Sequence, residues 1–144
     1  MYGGRKRCNV SDNGTITAFY GDNNYTEDGS NGQVMVYQPK FYYQRIPIST
    51  IDNKVGKIIT KDSFIISSTP QTGFKLHPIF KTTTNDTLDY VLLSAYEGGL
   101  YDVSASTYVT TTVSNVDFNN DKLSSVSGVK PITGSSGLNL QKAE

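Results

Sequence analysis

The chain has 144 residues, with 13 basic and 13 acidic side chains and a formal net charge of zero. Charged residues reach only 18% and aromatics 11%, ten of them tyrosine, which excludes a disordered chain, whose composition is rich in charge and poor in aromatics. The charge balance argues against a dedicated nucleic-acid binder with a basic face, and no apolar run approaches the ~20 residues of a membrane-spanning helix.

A chain of this length reads as one domain. For that size, burial of apolar surface and the entropy of ordering the chain nearly cancel, so a lone copy is expected to be marginal and to gain from a partner. Residues 1–10 carry Arg5, Lys6 and Arg7 without a following apolar stretch and do not read as a signal peptide. The single cysteine, Cys8, forbids an internal disulfide.

In chain order, 8–10 and 15–20 flank Asp12-Asn13-Gly14, which predicts a hairpin with two φ > 0 positions in a type I′ turn. A polar loop follows over 21–32, rich in Gly and Asn and long enough to suggest a function. Residues 33–48 alternate β-branched and aromatic side chains and read as a strand that is broken, bulged or at an edge at Pro39 and closed by Pro47. Two short Ile-rich runs come next, 55–60 and 62–67. Residues 82–87 predict a hairpin tip, and Tyr90-Val91-Leu92-Leu93 reads as a strand buried on both faces. A half-buried edge strand is expected over 108–113. The remainder is poor in apolar residues and should be loosely held. The expected fold is therefore mainly β, or a β-rich α+β arrangement: a compact antiparallel-sheet domain over 1–113 and an irregular C-terminal extension over 114–144.

Chemistry is sparse. His77 sits among Phe74, Leu76, Ile79 and Phe80, a context that favours a packed histidine over a base with polar partners. Cys8 beside Arg7 is a weak signal for a reactive thiol. Calcium is the one metal with suitable donors, in Asp22-Asn23-Asn24-Tyr25-Thr26 with Glu27 and Asp28, and in Asp117-Phe118-Asn119-Asn120-Asp121. Neither run completes an EF-hand loop, and Asx-turns explain both. No cofactor and no catalytic residue is assigned. Glu27, Asp28, Asp89, Glu97 and Asp102 are the carboxylates from which a polymer hydrolase would draw its pair. Tyrosine suits both subunit contacts and sugar stacking. The candidate ligand or interface residues are accordingly Tyr25, Tyr37, Tyr42, Tyr43, Asp22, Asn24, Glu27 and Asp28.

Several segments carry a family resemblance: Arg7-Cys8-Asn9-Val10, Asp12-Asn13-Gly14-Thr15, Tyr20-Gly21-Asp22, residues 25–36, Pro39-Lys40-Phe41-Tyr42-Tyr43, residues 73–78, Ala95-Tyr96-Glu97-Gly98, residues 101–106 and residues 121–125. Together, and in this order, they resemble structural appendage proteins of tailed bacteriophages, of the tail- or head-fibre type. In that family the region is similar to the part leading into, or forming the first half of, a C-type-lectin-like domain, which implies a partial fold of that kind. Family members continue past the counterpart of Leu138 into a longer part that usually bears the ligand face. Gln38-Pro39 is followed by Lys40, where calcium-dependent lectins want an acid. The resemblance thus implies a virion component and carries over no catalytic residue. It implies contact with other virion structural proteins and a homo-oligomer, with a trimer expected; the charge balance and the lack of a long apolar run are what argue for neither a nucleic-acid nor a membrane partner. A host-surface glycan adhesin acting through 21–32, and a cell-surface polymer hydrolase, are the alternatives.

Overall fold

The computed structural model describes residues 2–110 and 120–132. The fold is mainly β, with antiparallel sheets and no α-helix among the described residues. The chain divides into two compact units, one formed by Met1–Arg5 and Gln38–Val91, the other by Lys6–Tyr37 and Leu92–Glu144.

The strands are β1 (Lys6–Val10), β2 (Ile16–Phe19), β3 (Gln33–Pro39), β4 (Tyr42–Asn53), β5 (Gly56–Ser67), β6 (Lys75–Leu76), β7 (Tyr90–Ser94), β8 (Gly99–Asp102), β9 (Thr107–Tyr108) and β10 (Lys122–Ser124). They form sheets in the orders β2-β1-β3-β7, β10-β8-β9 and β5-β4-β6. With β2 on one side and β3 on the other, β1 is interior, and its Cys8, Asn9 and Val10 are all buried. Ala18, Val34, Leu100 and Val126 complete the apolar core of that unit.

The first hairpin forms where it is expected, but through a different turn. Asn13 does not have positive φ; Gly14 alone does, at 85°. Gly14 N donates to Ser11 O, and Ser11 N to Thr15 O. The loop is thus three residues with a single left-handed glycine, the next commonest hairpin connection after the two-residue turns. The Asn13 side chain accepts from Thr15 N at 3.0 Å and Ser11 Oγ at 2.6 Å, which stabilises this shape.

Pro39 ends β3 as expected, whereas Pro47 does not close the next strand. β4 runs on to Asn53, with register irregularities between Pro47 and Ser49 and between Ser49 and Thr50. Proline is tolerated there because β6 covers only Tyr42 and Tyr43, leaving the other edge of β4 open beyond them. The two Ile-rich runs expected separately over 55–67 form one strand, β5, paired along β4 as a long hairpin. The unit's fully buried large side chain is Phe80, set edge-to-face on Phe41 at 5.3 Å.

The tip over 82–87 forms, with a Lys81–Thr87 bridge and Asn85 at φ 63°. β7 departs from expectation: Tyr90 and Leu93 are exposed, because β7 is the outer strand of its sheet and not an interior one. β9 covers Thr107–Tyr108 alone; residues 111–113 of that expected strand lie outside the described residues. In the segment expected to be irregular, β10 pairs with β8, and Ser124, Ser125 and Val126 are buried. Ser125 explains the hold: its N–H donates to Gln33 Oε1, its carbonyl accepts from Val34 N, and its hydroxyl donates to Val34 O.

Candidate functional site

The polar loop 21–32 is fastened to β1 by the side chains of Asn9 and Arg7. Asn9 is fully buried, and its amide donates to Thr26 O at 2.8 Å while accepting from Thr26 N at 2.9 Å. That two-point bond imitates a strand pairing and stands in for a missing ladder contact. Further along, Asp22 accepts from Phe19 N, Asn31 Nδ2 donates to Asn24 O, and Ser127 N donates to Glu27 O. The loop is thus ordered by side-chain-to-backbone bonds together with backbone bonds such as that from Ser127.

This order places Glu27 beneath three donors. Tyr25 donates to Oε1 at 2.7 Å, Tyr96 donates to Oε2, and Arg7 Nη1 reaches both oxygens at 2.9 and 3.0 Å. The Arg7 guanidinium also lies 5.3 Å from the Tyr96 ring centroid. Burial works against the charge of Glu27, but donation from Tyr96, Tyr25 and Arg7 outweighs it and holds the carboxyl below its ordinary range. Burial and the neighbouring Glu27 push the Tyr25 phenol well up. A carboxylate held ionised, with both oxygens engaged, is a poor proton donor; it works as a staple between loop and sheet.

The stability this carboxylate contributes is present above about pH 4.3, the unfolded Glu value, and is lost as pH falls through its lower folded value. Glu27→Gln is expected to cost about 1–2 kcal/mol at pH 7, a hydrogen-bonded ion discounted for partial exposure. Urea unfolding of both proteins between pH 7 and 3 checks this: the gap between them should narrow as the pH falls. A gap independent of pH would show that the charge contributes nothing.

A second feature lies where β8, β9 and β10 meet the end of the loop. An open cleft of about 520 Å³ is lined by Asp12, Asp28, Ser30, Tyr101, Tyr108 and Lys122, among others. Tyr101 and Tyr108 are register partners across β8 and β9, edge-to-face at 4.9 Å. Lys122 Nζ bonds Asp12 Oδ2 at 2.6 Å. This ion pair also borders a neighbouring depression of about 630 Å³ that includes Met35 and Leu123. Asp28 accepts from Ser30 N and Oγ, bonds that hold its carboxyl below the ordinary range. Tyrosine side chains beside carboxylate and hydroxyl groups provide the chemistry for a polyhydroxylated ligand.

The sequence-derived candidates divide. Tyr25 and Glu27 meet in the staple, Asp28 lines the cleft, and Asp22 and Asn24 serve the loop's own backbone, Asn24 Nδ2 donating to Thr17 O. Tyr37 packs on Phe19 at 5.6 Å. Tyr42 and Tyr43 belong to the other unit, where Tyr43 contacts Phe64 and His77. His77 lies among Phe41, Tyr43 and Phe80, its Nδ1 accepting from Ile79 N. Cys8 is buried, and burial pushes its thiol up, away from the thiolate. Among the described residues no three His, Cys, Asp or Glu side chains converge as a metal site; residues 117–119 of the second calcium candidate lie outside them. Asp89 pairs with Lys40 at 2.6 Å, and Asp102 accepts from Ser104 Oγ and Ala105 N.

The chain matches no protein-family model, no curated protein and no solved structure. Its site is therefore read from its own geometry. Sequence reasoning missed Asn9 as the anchor of the loop, and Asp12, Tyr101, Tyr108 and Lys122 as the walls of one cleft. The useful signal was the tyrosine pair seven residues apart around a turn, but the spacing alone does not specify cross-strand register.

Proposed function

We propose that the chain is a non-enzymatic structural component of a bacteriophage virion. It serves as a fibre, head-decoration or tail-appendage module that assembles with copies of itself and contributes to host attachment. The observation that carries the assembling role is the β4–β5 hairpin. Nine large apolar residues in or between its strands are exposed, from Ile46 to Ile66. Surface of this kind marks an interaction site in a folded protein. The ordered resemblance to phage appendage proteins supports the virion setting, and the trimer is the expected state in that setting. The saturated bonding of Glu27 supports a structural use for the most elaborate polar cluster.

The test is location: an antibody to the chain should decorate intact particles at a symmetric set of positions, and the chain should copurify with them in fixed stoichiometry. Absence from purified particles would refute the virion role.

The Tyr101–Tyr108 cleft favours a second reading, a host-surface glycan adhesin. A glycan array probed with the native chain and with Tyr101→Ala addresses it. Binding lost in the variant would support the adhesin, and a blank array for the native chain would refute it.

A further inference from the structure

The β4–β5 hairpin is long and apolar on both sides. Directly opposed residues share a face, so Tyr43 and Ile66 lie with Arg45 and Phe64 on one side, while Gln44 and Ile65 lie with Ile46 and Ser63 on the other. Beyond the bulges, Ile51 opposes Ile58 and Thr50 opposes Ile59, again on alternate faces. Exposure reaches 65% at Ile66, 58% at Phe64 and Ile51, and 95% at Val55 in the turn. Scaled by residue size, the nine exposed apolar residues present roughly 900 Å², against the ~800 Å² that each partner contributes to a standard stable interface. A two-stranded hairpin is marginal by itself in water.

We infer that this hairpin is an arm that docks by its faces onto a second copy of this chain; the inference rests on the reading of the protein as an assembling component. Charge favours a copy as the occupant. The hairpin carries Arg45, Lys54, Lys57 and Lys61 against Asp52 and Asp62, a surplus of two positive charges, so the rest of this neutral chain carries two excess negative charges. The chain itself is thus complementary to its own arm. The open edges are guarded by Pro47, two register irregularities and the edge-strand lysines Lys57 and Lys61, features that discourage strand-to-strand extension. The faces carry charged side chains too, Arg45 beside Phe64 among them, but keep their exposed apolar residues between these. A lipid surface fits less well: exposed apolar residues stand on both faces of the hairpin, whereas an interfacial anchor presents one apolar face and one charged face.

The test uses the full chain and two double variants, Ile51→Thr with Ile58→Thr and Phe64→Thr with Ile66→Thr, which keep strand propensity while removing apolar surface. Sedimentation velocity over a concentration series should show the native chain at a multiple of 15.8 kDa. Each variant should dissociate at a concentration at least about tenfold higher. Hydrogen exchange should show hairpin amides protected in the native assembly and released in the variants, while Val34 and Cys8 amides stay protected in all three and so report retained folding. A native chain that is monomeric throughout overturns both the arm and the assembling role. A native oligomer unchanged by either double variant overturns the arm alone. A monomer that floats with anionic phosphatidylserine vesicles, and loses that binding in the variants, overturns the proposal in favour of a lipid anchor.

Discussion

Asn9→Leu should destabilise the protein by about 2–4 kcal/mol, read as a lower urea midpoint at an unchanged slope. Leucine keeps the branching of asparagine but is the larger side chain, so overpacking of this buried position adds to the loss of bonding. Asn9 is fully buried, and its amide is the partner of both Thr26 N–H and Thr26 C=O. Removing it strands two backbone groups, each costing about 1–3 kcal/mol when poorly solvated. Thr26 is only half-buried, so water recovers part of that loss, which sets the upper limit. The consequence extends to the candidate site, because Glu27 and Asp28 follow directly. The Thr26 amide should exchange much faster in the variant, and the Glu27 contacts to Arg7 and Tyr96 should loosen with it. A destabilisation below about 1 kcal/mol, with Thr26 still protected, would mean that the loop is held by other bonds.

Gly32→Ala is expected to cost about 3–5 kcal/mol, combining backbone strain of ~1–3 kcal/mol with a collision that side-chain motion cannot relieve. Gly32 has φ of 98°, and a Cβ there would stand 2.5 Å from Val10 O and 2.9 Å from Val10 C. Both are backbone atoms of an interior strand, so either β1 or the loop must shift. Gly14→Ala is the paired control. Its φ is 85°, but a Cβ there meets nothing within 4 Å, so only the backbone term of about 1 kcal/mol applies. Thermal unfolding of the two variants separates the effects: Gly32→Ala should lower Tm several degrees further than Gly14→Ala. Equal losses would show that the close approach to Val10 is not a constraint.

Local signals were legible in the amino-acid order. The position, though not the type, of the Asp12-Asn13-Gly14 turn, the break at Pro39, the tip over 82–87 and the packed setting of His77 follow from turn chemistry, the missing proline N–H and the apolar neighbours. Each depends on atoms within a few residues of one another. The same reasoning misjudged Pro47 and the buried state of 90–93, because both depend on which strand lies alongside. A proline is harmless on an open edge, and an apolar run is exposed when its strand is outermost.

The candidate site was legible only in fragments. Tyr25, Glu27 and Asp28 stood out by residue type, but their partners Arg7, Tyr96 and Ser127 lie up to a hundred residues away. Nothing in the spacing marked Asn9 as their anchor, since a buried amide and a solvated one look alike in a sequence. Composition and periodicity were enough to establish a β chain punctuated by Gly, Asn and Pro, because those preferences arise from sterics within one or two residues. Register, edge position and the meeting of Tyr101 with Tyr108, or of Ser125 with Gln33 and Val34, belong to tertiary structure. Those contacts form only after long loops close, and their selection rests on the burial and hydrogen bonding of the assembled sheets.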